Sequence, residues 1–124
     1  MRIPSVTMIA LPAVTMLALD GIYLTATTAW FNKQVTAIQG SPIQLRVIPT
    51  IIVYVFLLLA LYYFVIRVNG TPFDAFVLGI STYAVYEFTN YAILSKWSPI
   101  TVAMDTIWGG VLFFLTTLIY NKLV

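Results

Sequence analysis

The sequence predicts an all-α integral membrane protein, a four-helix bundle forming a single transmembrane domain over residues 1–124. Three observations carry that expectation. The chain is 61% hydrophobic and only 8% charged, where soluble domains carry roughly 25% charged residues. Its apolar residues gather in four runs of about 20 residues, the length that crosses a bilayer core of about 30 Å. Helix punctuation falls at the breaks: Ser41-Pro42, Thr71-Pro72 and Ser98-Pro99 each pair a capping residue with a proline suited to the first helical position.

Span 1 is expected over 4–28, kinked at Pro12. The basic, apolar opening resembles a secretory signal, but the run is too long and carries Asp20, so no cleaved leader is expected. Trp30 and Phe31 suit the lipid–water boundary. A short interfacial helix over 30–38 is expected to end at Gly40. Ser41-Pro42-Ile43-Gln44 then reads as a capping box that opens span 2. Span 2 covers 47–66, and Arg67 and Asn69-Gly70 close it with a turn. Thr71 caps span 3, over 72–94, with Asp74 at the third position facing the helix's positive end. Ala75 and Gly79, small and four apart, allow a neighbouring helix to approach closely. Lys96-Trp97 marks the next boundary, with Trp97 as an anchor there. Ser98-Pro99 opens span 4, over 99–120.

The chain has no cysteine and no histidine. Disulfides, thiolate chemistry, a Ser-His-Asp triad and the usual metal ligands are therefore excluded. No cofactor or metal centre is expected, and a net charge of +2 gives no basic patch for nucleic acid. Lys and Arg divide three against three between the two sides, so the positive-inside rule assigns no orientation and no particular membrane.

Charged groups inside a bilayer are costly to hold and point to function by default. Depth brings three of them together. Counted at a 1.5 Å rise, Asp20 lies about 12 Å, Glu87 about 10 Å and Asp105 about 9 Å from the same side of the membrane. Tyr83, Glu87, Asn90 and Tyr91 share one face of span 3. Thr101, Asp105, Trp108 and Gly109 share one face of span 4. Tyr23 follows Asp20 by three residues, and Tyr54 on span 2 reaches the same depth. The expected ligand site is therefore Asp20, Tyr23, Tyr54, Tyr83, Glu87, Asn90, Asp105 and Trp108. Arg46 or Lys96 is a candidate to compensate one acid from the rim. With few bases near, at least one carboxyl is expected to hold a proton or a cation.

These same residues resemble a family of small membrane proteins known as domain of unknown function 2177. The resemblance lies in Leu19-Asp20-Gly21-Ile22-Tyr23-Leu24, in Tyr86-Glu87-Phe88-Thr89-Asn90, in Leu94-Ser95-Lys96-Trp97-Ser98-Pro99, and in Asp105-Thr106-Ile107-Trp108-Gly109. Glu87 stands where the family pattern usually has Asp. The resemblance covers nearly the whole chain and implies four spans, without naming a reaction.

Three functions compete. A small carrier or cation site would use Asp20, Glu87 and Asp105 on a proton, a cation or a small polar solute, and would work as a homo-oligomer. A membrane enzyme would use Glu87 and Asp105 as catalytic acid and base on a lipid or other apolar substrate. A structural or accessory subunit would use the polar residues only to lock helices together. The first is the leading expectation, with membrane lipids as the surrounding partner in all three.

Overall fold

The computed structural model describes residues 5–124, so Arg2 and the expected start of span 1 at residue 4 lie outside the described residues. Within them the chain forms four α-helices: α1 (Ser5–Gln39), α2 (Val47–Leu61), α3 (Pro72–Ile93) and α4 (Pro99–Leu123). A π-helical turn, Tyr62–Ile66, extends α2. Its wide hydrogen bond runs from Arg67 N to Tyr62 O at 2.8 Å. The bundle is all-α as expected. By length and composition α1, α4, and α2 with its π turn are long and apolar enough to cross a membrane.

Two starts match the sequence signals. Thr71 Oγ1 accepts from Asp74 N at 3.1 Å while Asp74 Oδ2 accepts from Thr71 N at 2.8 Å. That reciprocal pair satisfies two of the donors every helix start leaves open. Ser98 Oγ accepts from Ile100 N at 3.1 Å, with Pro99 leading α4.

Two expectations fail between residues 30 and 46. No separate interfacial helix exists: α1 runs unbroken for 35 residues to Gln39. Nor is there a capping box at Ser41–Gln44, because α2 begins only at Val47, after an extended Arg46 that makes no side-chain cap. Side chains of α1 explain the second result by taking the loop's backbone groups. Gln39 Nε2 donates to the carbonyls of Ser41 and Pro42, both at 3.0 Å. Asn32 Oδ1 accepts from Ile43 N at 2.9 Å. The proline in the first turn of α2 is Pro49, a position that tolerates a missing N–H.

Five threonines of α1 are satisfied without partners from other helices. Thr15, Thr25, Thr27, Thr28 and Thr36 each donate to the carbonyl four residues back, at 2.6–2.8 Å.

α4 lies at the centre. It packs along α3 and, less extensively, against α1, and α2 with its π turn leans on α1. Small residues set the α3–α4 spacing. At Gly79 an added Cβ would press on the carbonyl oxygen of Gly109, and at Gly109 it would enter the Tyr83 side chain. The apolar core gathers Met8, Met16, Leu61, Val65, Ile66, Ala75, Leu112, Phe113 and Tyr120. These come from the start of α1, the end of α2, the start of α3 and the end of α4. They therefore fill one end of the bundle and leave the other to the polar residues.

Candidate functional site

At that other end, a cleft of about 1030 Å³ opens between all four helices and the 40–46 loop. Asp20, Glu87 and Asp105 all line it. They are 5%, 0% and 8% exposed, so each needs protein partners.

Those partners are neutral aromatic donors. Trp108 Nε1 donates to Asp20 Oδ1 at 2.9 Å, and the Tyr54 hydroxyl donates to Asp20 Oδ2. The Tyr23 hydroxyl donates to Asp105 Oδ1 at 3.1 Å. Trp97 Nε1 donates to Glu87 Oε1 at 2.8 Å. Glu87 Oε2 is buried and has no partner. The carboxyl of Asp105 neighbours that of Glu87.

The α1–α4 contact is reciprocal. Both helices carry an aspartate with an aromatic residue three positions later, Asp20/Tyr23 and Asp105/Trp108. Each ring bonds the aspartate of the other helix. The Tyr23 and Trp108 rings stack between them, with centroids 4.6 Å apart and planes 5° from parallel. In helices the i and i+3 positions share a face, so two antiparallel copies of the pattern meet as complementary halves.

A second polar contact holds the far end of α1. Trp30 Nε1 donates to Thr101 Oγ1 at 2.9 Å, and Thr101 Oγ1 donates to Gln34 Oε1 at 2.8 Å. Lys96 Nζ donates to Ala37 O at 3.2 Å. The extension of α1 beyond the predicted span is thus fastened to the start of α4 and to the loop before it.

Of the residues singled out from sequence, Asp20, Tyr23, Tyr54, Tyr83, Glu87 and Asp105 come together on the cleft. Trp108 does not line it and acts from behind, through Asp20 and Tyr23. Asn90 is half-buried and does not line it. Lys96 is engaged with α1 and also does not line it, whereas Arg46 does.

Sequence reasoning missed Trp97. It read as a boundary anchor, yet it is 8% exposed and hydrogen-bonded to Glu87. The signal was the short connection: α3 ends at Ile93, a turn bonds Trp97 N to Leu94 O at 3.0 Å, and α4 restarts at Pro99. So tight a reversal folds the ring back toward the last turns of α3. Tyr86, part of the second motif, also lines the cleft.

A family model described as "Predicted membrane protein (DUF2177)" matches residues 5–120. The chain belongs to this family. No curated protein and no solved structure matches it. In this DUF2177 protein, the motif residues Asp20, Tyr23, Tyr86, Glu87, Trp97 and Asp105 all line the same cleft.

Proposed function

We propose that this membrane protein handles a proton or a cation through the cleft, as the binding step of a small multi-pass carrier. In this reading all four helices cross the bilayer. α3, with 22 residues, is about 33 Å long, and its pairing with α4 carries the less apolar helix through. One observation supports the reading above the others: three buried acids from three helices share one open cleft, and the partners of their oxygens are neutral donors. Such a cluster is electrostatically incomplete. In low dielectric it calls for protons or a cation to balance it. Arg46, exposed at the cleft wall, is the basic residue among those lining it.

Purified protein in liposomes loaded with a pH-sensitive dye tests this. Under an imposed gradient, proton or cation-coupled flux is expected from the wild type and is lost in Glu87→Gln, with both proteins eluting as single folded species. Equal flux in the two proteins, or none from the wild type under any cation gradient, overturns the proposal.

One observation favours the enzyme as second reading. α2 and α3 both contribute to the cleft walls without packing along one another, so a lipid has a side entrance to the neighbouring carboxyls of Glu87 and Asp105.

A further inference from the structure

The walls of the cleft narrow the class of cation. The floor is poorly made for a bare metal ion. Hard divalent cations take about six to eight oxygens at close range, but here both oxygens of Asp20 and one each of Asp105 and Glu87 already accept hydrogen bonds. Among the described residues no three acidic side chains are grouped to surround a metal. Two carboxyl oxygens of the cleft accept no hydrogen bond: Glu87 Oε2, which is sealed from water, and Oδ2 of the neighbouring Asp105. Two oxygens on neighbouring carboxyls, too few for a hard metal ion, suit one ammonium group or one diffuse positive centre.

The rest of the cleft is aromatic and apolar. Tyr23, Phe31, Tyr54, Tyr83, Tyr86 and Trp97 line it. The faces of such rings attract cations, most strongly where water is excluded, and cages of them hold quaternary ammonium groups. Leu24, Val35 and Ile43 add a greasy wall nearer the loop. At about 1030 Å³ the space matches the upper range of drug-sized ligand sites, about 300–1,000 Å³. The gap between α2 and α3 gives an amphipathic molecule a way in from the bilayer.

We propose that the cleft binds a lipophilic organic cation, its charged centre against the neighbouring carboxyls of Glu87 and Asp105 and its apolar body among Tyr54, Tyr83 and Tyr86. This rests on the cation-handling reading and names its substrate class.

Equilibrium binding of radiolabelled tetraphenylphosphonium to the full chain in neutral-lipid nanodiscs tests it, with empty nanodiscs as blank and triphenylphosphine oxide as uncharged competitor. Saturable binding is expected. It weakens at least tenfold in Glu87→Gln, and the uncharged compound does not displace it. Tyr86, 57% exposed, can be shortened without opening the core, so Tyr86→Leu serves if Glu87→Gln fails to fold. Loss of one ring face is expected to weaken binding about 3- to 10-fold. Unchanged affinity in the folded variants, or equal displacement by the uncharged compound, overturns the proposal. So does the absence of saturable binding. If Glu87-dependent proton flux persists in that case, the organic cation is wrong and the cation-handling reading stands. If flux is absent too, both fall.

Discussion

Replacing Gly79 by alanine tests the α3–α4 contact that holds Glu87 and Asp105 side by side. An added Cβ would press on the carbonyl oxygen of Gly109 and lie 2.8 Å from Phe113 Cβ. Carbon atoms pack best at about 3.5–4.0 Å. Neither neighbour is the end of a flexible side chain, so relief requires the helices to part. Overpacking of this kind costs about 1–3 kcal/mol, and a backbone obstacle points to the upper end. Alanine returns about 0.5–1 kcal/mol through its better helix propensity. The net expectation is a loss of about 2 kcal/mol. Gly21 supplies the internal comparison, because nothing lies within 4 Å of the same added atom. There the propensity gain acts alone, and Gly21→Ala should stabilise by about 0.5–1 kcal/mol. Unfolding in mixed micelles by increasing dodecyl sulfate, followed by circular dichroism, measures both. If Gly79→Ala is as benign as Gly21→Ala, the two helices do not approach as described, and the adjacency of the two acids goes with them.

Two further substitutions probe single hydrogen bonds in the same assay. Trp97→Phe removes the donor to Glu87 Oε1 and leaves a buried carboxyl with both oxygens open, a loss of about 1–3 kcal/mol. Adding Glu87→Leu to that variant should recover part of the loss, and strictly additive effects would refute the contact. Thr71→Ala breaks the cap at the start of α3; it is expected to cost about 1 kcal/mol, and an unchanged midpoint would deny the cap any role.

Much of the architecture could be read directly because the punctuation is chemical. Thr71-Pro72-Phe73-Asp74 and Ser98-Pro99 start helices where their side chains meet open backbone donors. The end of α1 is not legible from hydropathy, for a different reason. Hydropathy falls at Asn32, Lys33 and Gln34, which records where the chain leaves the hydrocarbon and says nothing about where the helix stops. The helix continues to Gln39, and Gly40, at φ 78°, adopts the left-handed conformation that glycine takes without strain. Counting residues along each span put Asp20, Glu87 and Asp105 at one level, and all three line one cleft. The role of Trp97 was hidden because hydropathy assigns a boundary tryptophan to the lipid surface, while its actual direction depends on how a short loop closes.

The exchange of partners between α1 and α4 has a mechanical consequence. Each aspartate is held by a ring borrowed from the opposite helix, so rolling either helix about its axis would break both bonds and unstack Tyr23 from Trp108 together. The two inner helices are therefore expected to move as one piece. Any change in the width of the opening falls to α2, which leans only lightly on α1, while α3 stays locked along α4.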